Sequence, residues 1–103
     1  MYKITVYIPS DSLEKVKQAM FDHGAGRFGN YDRCAWQVLG QGQFRPLPQS
    51  NPTLGQHGKL EIVEEYLVEM VCEPAVIKSV IEALKQTHPY EEPAYTVTYL
   101  ENI

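Results

Sequence analysis

The stretch Tyr66-Leu-Val-Glu-Met-Val-Cys72 decides the fold, because it repeats the pattern of Tyr2-Lys-Ile-Thr-Val-Tyr-Ile8 at a distance of 64 residues. In both stretches every second residue is apolar or aromatic, which is the period of a β-strand with one buried face. The same shift aligns two apolar helical stripes. These are Leu13, Val16, Ala19 and Met20 in the first half, and Ile77, Val80, Ala83 and Leu84 in the second. The chain therefore contains two copies of one strand–helix unit.

Local signals predict the ends of the first strand and the first helix. Pro9 ends the strand because proline cannot donate a hydrogen bond to a strand ladder. Ser10 and Asp11 predict a helix N-terminus, with Glu14 placed three residues after Asp11 in the spacing of a capping box. Gly24 predicts the end of the helix, since the residue that follows a helix favours a positive φ.

The rest of the chain supplies three further strands and a second helix. Alternation predicts strands at 34–39, 59–73 and 94–100, and the second helix begins at Pro74 and breaks before Pro89. The order β-α-β-β-α-β interleaves two right-handed strand–helix–strand units. We therefore predict one α+β domain over residues 1–103, a ferredoxin-like βαββαβ sandwich whose four-stranded antiparallel sheet carries both helices on one face.

Residues 40–58 break the pattern, because glycine and proline recur there without any period. We predict a long irregular connection, and such loops are commonly functional or mobile. If the hairpin that it closes is centred near Thr53, Cys34 lies opposite Cys72 in the two middle strands. A slip of one residue would break this pairing.

Composition and charge exclude several classes of function. The net charge of −4 argues against a nucleic-acid partner. No apolar run approaches the roughly 18 residues that a membrane span requires, and the N-terminus lacks the cleavage site of a signal peptide. Two cysteines make no disulfide framework. We therefore expect a reduced, cytoplasmic protein without membrane association.

The segment Gly24-Ala-Gly-Arg-Phe-Gly29 spells the GxGxxG pattern of dinucleotide-binding sites. That fingerprint must follow a strand and open a helix, so that a phosphate meets the helix N-terminus. Here it follows a helix and leads into a strand, so we predict a helix cap and turn instead. Arg27 and Asn30 remain candidates to anchor a ligand in that turn.

The segment His88-Pro-Tyr-Glu-Glu-Pro-Ala-Tyr95 is the densest polar cluster of the sequence. One interpretation is a metal or acid/base site, in which His88 acts with Glu91 or Glu92. A zinc site needs three or four ligands, however, and nothing places the other histidines nearby. The alternative is a rigid turn in which Tyr90 is packed and the glutamates are solvated. No set of nucleophile, base and orienting group is visible, so we expect no enzyme activity and no cofactor.

The sheet face away from the helices is predicted to be too apolar for simple exposure to water. Such a patch commonly marks an interface, and we expect a homo-oligomer. The acidic residues Glu61, Glu64, Glu65 and Glu69 alternate with apolar residues and predict a solvated strand face. The open face is expected to carry Thr5, Tyr7, Leu67, Val71, Thr96, Thr98 and Leu100.

Several motifs together resemble one known family. They are Val6-Tyr-Ile-Pro9, Gly24-Ala-Gly26, Arg27-Phe-Gly-Asn-Tyr31, Gly42-Gln-Phe-Arg-Pro46, Asn51-Pro52, Gly58-Lys-Leu-Glu61 with Glu64, and the segment from His88 to Tyr95. Over nearly the whole chain they are similar to the domain inserted in the bacterial Nif-three-like proteins of the YqfO type, here expected as a free-standing homologue. The His88-Pro-Tyr-Glu91 element with Pro93 also resembles the CutA family of divalent-cation tolerance proteins. The implied fold is that of CutA and the PII signalling proteins. Because those proteins are trimers built through the open sheet face, the resemblance implies a trimer for this chain, with a dimer as the alternative.

The resemblance does not bring the two-metal centre of the full-length Nif-three-like proteins, whose ligands lie on parts of the chain absent here. It implies structural or binding positions in the turn from Gly26 to Tyr31, the loop Phe44-Arg45-Pro46 and the segment from His88 to Tyr95. The candidate ligand-binding residues within them are Arg27, Asn30, Arg45, His88, Tyr90 and Glu91. Three functions stay open: a regulatory or ligand-binding module, a CutA-like divalent-metal protein, and a purely structural oligomerisation partner. A small anion is a possible ligand of the first, because arginine side chains suit phosphate and carboxylate.

Overall fold

The computed structural model describes residues 1–103 and has the predicted order of elements. A single turn of 3-10 helix leads into each α-helix, at Ser10–Ser12 and at Pro74–Val76. The strands and helices are β1 Tyr2–Pro9, α1 Leu13–Asp22, β2 Trp36–Phe44, β3 Glu61–Cys72, α2 Ile77–Thr87 and β4 Tyr95–Tyr99.

The four strands form one sheet in the order β2-β3-β1-β4, and every neighbouring pair is antiparallel. In the central pair Ile4 lies opposite Met70 and Val6 lies opposite Val68, so the two copies of the repeat face each other across β1 and β3. This arrangement confirms the predicted ferredoxin-like βαββαβ fold.

The core lies between the sheet and the two helices. Alternate residues of β1 and β3, beginning at Ile4 and Val68, meet the apolar stripes of α1 and α2. Each fully buried aliphatic side chain of this kind contributes about 1.5–3 kcal/mol to the free energy of unfolding. The core cluster consists of Ile4, Val6, Ile8, Leu13, Val16, Met20, Ala25, Val68, Met70, Cys72, Val80 and Leu84.

The β2–β3 hairpin is longer than predicted. β2 does not stop at Leu39 but continues through Gly40 and Gly42 to Phe44, and its last residue pairs with Glu61. The irregular connection predicted for 40–58 therefore shrinks to 45–60. Glycine commonly interrupts strands, but Gly40 and Gly42 occupy regular positions of the ladder, opposite Glu65 and Val63.

The predicted cysteine pairing is wrong by one residue of register. Trp36 lies opposite Glu69, so a continuation of that ladder would place position 34 opposite Val71 rather than Cys72. Cys72 instead pairs with Tyr2 of β1, and its thiol is buried in the core. Burial and, secondarily, the nearby carboxylate of Glu73 raise the pKa of the Cys72 thiol.

The ends of α1 are only partly as predicted. No side chain caps its N-terminus, so the expected capping box does not form. Ser10 donates instead from Oγ to Glu64 Oε1 of β3 at 2.8 Å. At the other end Gly24 has a φ of 109° and donates its N–H to the carbonyl of Phe21, which confirms glycine as the signal for the helix end.

The first and last residues of the sheet lie side by side. The N–H of Leu100 donates to the carbonyl of Met1 at 2.9 Å, just beyond the end of the β1–β4 pairing. Neither helix combines the length and the apolar character that a membrane crossing requires.

Candidate functional site

His88 fastens the turn after α2 to the sheet. Its Nε2 lies 2.7 Å from the carbonyl oxygen of Tyr7, and the backbone N–H of Tyr90 donates to its Nδ1 at 3.1 Å. A carbonyl oxygen only accepts and an N–H only donates, so these partners fix the neutral tautomer with its proton on Nε2. Burial lowers the pKa of His88, and the hydrogen bond to Tyr7 opposes that shift in part. Both ring nitrogens are therefore occupied within the fold.

The turn held by His88 directs Tyr90 onto the open face of the sheet. The Tyr90 hydroxyl lies 3.5 Å from Glu65 Oε2, and its ring packs against Phe44 with the ring centres 5.8 Å apart. Burial, followed by the adjacent Glu65 carboxylate, raises the pKa of Tyr90 to about 12. Burial also raises the pKa of Glu65, while the hydrogen bond from Tyr90 lowers it in part. Tyr90 therefore acts as a hydrogen-bond donor to a partly desolvated carboxylate.

Gly42 makes room for that carboxylate. A Cβ atom at position 42 would lie 1.9 Å from Glu65 Oε1 and 2.5 Å from its carboxyl carbon. Gly40, two residues earlier, has nothing closer than the Glu65 carbonyl oxygen at 4.0 Å. Glycine inside a strand often marks a close approach of another group, and here the group is the side chain of Glu65.

The 45–60 loop closes over this end of the sheet. Thr53 Oγ1 donates to the carbonyl of Pro89 at 2.7 Å, and the backbone N–H of Asn51 donates to Glu91 Oε1 at 3.1 Å. These two hydrogen bonds join the loop to the turn after α2. Between them and the sheet lies an open cavity of about 520 Å³.

The cavity combines aromatic walls with an excess of negative charge. Tyr7, Phe44 and Tyr90 contribute rings, and the loop contributes proline and leucine side chains. Three carboxylates face one guanidinium among the lining residues. The charged residues of the lining are Arg45, Glu65, Glu91 and Glu92. This arrangement of charged and aromatic groups around an open space suits the binding of a ligand.

The structure brings together some of the predicted site residues and separates others. Arg45, Tyr90 and Glu91 line the cavity, and His88 holds its floor in place. Arg27 and Asn30 are exposed in the turn after α1 and do not line it.

That turn belongs to the opposite end of the sheet. It is fixed by the hydrogen bond from Gly26 N to the Val71 carbonyl, and Val71 pairs with Lys3. Tyr7 lies four residues further along β1, which at the rise of a strand is about 13 Å away. A single chain therefore does not place Arg27 and Asn30 in the cavity.

Two lining residues contributed by the sheet, Tyr7 and Glu65, were not among the residues that the sequence predicts for the site. The alternation of Glu65 with apolar residues predicts a solvated strand face, whereas its side chain is partly buried. The signal that could have identified it is the Gly40-Gln-Gly42 pattern inside the neighbouring strand, which leaves bare backbone where Glu65 lies.

No group of three or more histidine, cysteine, aspartate or glutamate side chains is arranged to hold a metal ion. A site supplied by this chain alone would need such a group.

No protein-family model matches the chain. Among curated proteins, it is 38% identical over 102 residues to the GTP cyclohydrolase 1 type 2 homologue of Halalkalibacterium halodurans, and 41% identical over 99 residues to that of Bacillus subtilis. These matches cover 99% and 96% of the chain, but 27% and 26% of the two relatives. The chain thus spans about a quarter of the length of the curated relatives it matches.

Solved structures give the same picture. A Bacillus cereus protein related to NIF3 matches 98% of the chain with a TM-score of 0.81 and 38% identity, over 26% of that protein. CutA of Pyrococcus horikoshii matches the whole chain with a TM-score of 0.72 over 87% of its own length, at 18% identity. The PII-like CutA of Nostoc matches with a TM-score of 0.70 at 16% identity, covering 99% of this chain and 83% of its own. At such low identity the CutA proteins show a common fold alone. The chain is therefore a homologue of one portion, about a quarter in length, of the Nif3-related proteins, and it has a CutA/PII-like fold.

Proposed function

We propose that this chain is a non-catalytic module that assembles with further copies of itself through the open face of its sheet. The observation that carries the proposal is the apolar character of that face. Trp36 and Val38 point to it from β2 and are 59% and 46% exposed. An apolar surface of this kind on a soluble domain commonly marks a protein interface.

The register extends the same surface across the sheet. Val38 lies opposite Leu67, Leu67 lies opposite Tyr7, and Lys3 joins Val71 to Thr98. Residues paired across an antiparallel sheet share one face, so Val38, Leu67 and Tyr7 form an apolar strip on the open face, and the Lys3–Glu69 ion pair lies on the same face. Both helices lie on the other side of the sheet, where the core forms. The helices therefore leave this strip uncovered, and only the 45–60 loop approaches it, at Tyr7.

The proportions of the chain also support assembly. The molecule measures 46 × 26 × 24 Å, and only 17 of its 103 residues are buried. In an assembly, an interface on the open sheet would remove further apolar surface from water, beyond what the single chain buries. The family resemblance implies a trimer, and the mass of the assembly in solution distinguishes that number from a dimer.

Sedimentation equilibrium between 1 and 200 µM tests the proposal directly. We expect a mass that is a whole multiple of 11.7 kDa and that persists at high salt, since the interface is apolar. A single species of 11.7 kDa across that range would contradict it.

Two other functions are weaker proposals. The curated relatives are named GTP cyclohydrolase 1 type 2 homologues, and this chain matches about a quarter of their length, so a cyclohydrolase activity is not expected from this portion alone. A CutA-like role in divalent-metal binding lacks a ligand group within the chain. Titration with Cu²⁺ and Zn²⁺, followed by calorimetry on the assembled protein, tests the metal function. Saturable binding that is lost when His88 is replaced would revive it.

A further inference from the structure

The geometry points to a second site: we propose that the cavity between the 45–60 loop and the sheet binds a small organic cation, an amine or a guanidinium. The Glu65 carboxylate would be its counter-ion, and the rings of Phe44 and Tyr90 would form its wall. This inference goes beyond assembly, because the cavity is formed within one chain and requires no second copy.

The carboxylate of Glu65 forms no ion pair within the structure. The ion pairs of the structure join Lys3 to Glu69, Lys17 to Glu14 and Arg33 to Asp22, and none of them involves a carboxylate of the cavity. A partly buried carboxylate without a cation is costly, because it has lost water without gaining an opposite charge. The one hydrogen bond of the Glu65 side chain is the long one from the Tyr90 hydroxyl, at 3.5 Å.

Aromatic rings line the cavity beside its carboxylates. Phe44 and Tyr90 pack against each other with their planes inclined by 58°, and Tyr7 adds a third ring to the lining. The faces of aromatic rings attract cations within about 6 Å of the ring centre, and the attraction grows where water is excluded. Rings beside carboxylates therefore favour an organic cation over a neutral or anionic ligand.

The lining of the cavity suits neither an anion nor a bare divalent metal ion. An anion attracted to Arg45 would also meet Glu65, Glu91 and Glu92. A bare divalent ion would need three or more ligating side chains close together, and none are arranged in this way. The volume of about 520 Å³ lies in the range of cavities that hold small organic molecules.

A matched series of probes separates charge from shape. Phenethylamine, phenethyl alcohol and 3-phenylpropionate share a ring and a short chain but carry a positive charge, no charge and a negative charge. We expect saturable binding of phenethylamine at pH 7.5 in low salt, with amide chemical-shift changes at Gln43, Phe44 and Tyr90. Binding of the alcohol and of the carboxylate should be at least tenfold weaker.

Two variants and one control locate the site. We expect Glu65→Gln to weaken phenethylamine binding at least tenfold and Phe44→Leu to weaken it about threefold, a loss typical of a cation–π contact. Glu82→Gln, on the exposed surface of α2, should bind as the wild type does. Equal binding by Glu65→Gln and the wild type, or preferential binding of 3-phenylpropionate, would overturn the proposal.

Assembly and cation binding fail separately in these experiments. A monomeric protein that binds phenethylamine would refute the proposed function and support the cation site. An assembled protein that shows no saturable binding of phenethylamine would refute the cation site and leave the proposed function in place.

Discussion

The Nε2 atom of His88 lies 2.7 Å from the backbone carbonyl oxygen of Tyr7, 81 residues away in the sequence. This hydrogen bond ties the end of α2 to the first strand, at the point where the cavity begins. His88 is the only buried polar or charged residue, with 6% of its surface exposed. It acts as a positioning residue for Tyr90.

Replacing His88 by alanine should lower the free energy of unfolding by about 2–3 kcal/mol, because the Tyr7 carbonyl and the Tyr90 N–H both lose their partner. Urea unfolding followed by circular dichroism measures the change. The matched control is His23→Ala, which removes an exposed ring bonded to the Ala19 carbonyl. Equal losses in the two variants would contradict the structural role of His88.

The lowered pKa of His88 also predicts a loss of stability in mild acid. Between the ordinary imidazole value of 6.5 and the lower value in the fold, the unfolded chain binds a proton that the folded chain does not. The free energy of unfolding therefore falls as the pH is lowered through this window. The raised pKa of Glu65 acts in the opposite direction.

The variant His88→Gln isolates this effect, because glutamine cannot titrate while Glu65 is present in both proteins. Urea unfolding at pH 7.5 and pH 5.5 should show a larger acid-induced loss in the wild type than in the variant. The same loss in both would show that His88 does not titrate differently on folding.

The pair Gly42→Ala and Gly40→Ala tests the space reserved for Glu65. A Cβ at position 42 overlaps the Glu65 carboxyl group, whereas a Cβ at position 40 meets only ordinary contacts. Because a flexible side chain can move aside, we expect both variants to fold with stabilities within about 1 kcal/mol of the wild type.

The difference should appear in the Glu65 side chain itself. In Gly42→Ala the carboxyl group is pushed towards water, so its pKa should return towards 4.5, as measured by carbon NMR of the glutamate side chains. Gly40→Ala should leave the titration unchanged. A wild-type titration in Gly42→Ala would mean that Glu65 does not occupy this space.

Neighbouring residues of β2 provide a test of the assembly surface. Val38 and Leu39 are 46% and 49% exposed, but they point to opposite faces of the sheet. We expect Val38→Lys to raise the dissociation constant of the assembly at least tenfold, because it places a charge in the apolar interface. Leu39→Lys should keep the wild-type mass in sedimentation experiments. Dissociation by Leu39→Lys alone would move the interface to the other face.

Much of the fold could be predicted from the sequence because the repeat reports directly on burial. Buried residues such as Val6 and Val68 alternate strictly with more exposed ones. A register slip of one residue would turn the whole apolar set of a strand to the other face of the sheet. The end of β2 could not be predicted in this way. Gly40 and Gly42 read as turn signals, and only the three-dimensional position of the Glu65 side chain explains why the strand carries a glycine at position 42.

The candidate site was predictable only in part, for a similar reason. Tyr90 and Glu91 stand in a distinctive polar segment, so their local sequence marks them out. Glu65 lies in an ordinary alternating strand, and its partial burial depends on a loop and a turn that approach from distant parts of the chain. Arg27 has a distinctive local sequence as well, yet the turn that carries it leaves the sheet at its other end.

The hydrogen bond between Leu100 and Met1 places the two ends of the domain beside each other. A host polypeptide can therefore leave its own path, pass through this unit and resume within a few ångströms of where it left, without strain on either part. With its ends side by side, one unit can stand as a part of a longer chain, as about a quarter of the Nif3-related relatives, or make up most of a chain, as in CutA.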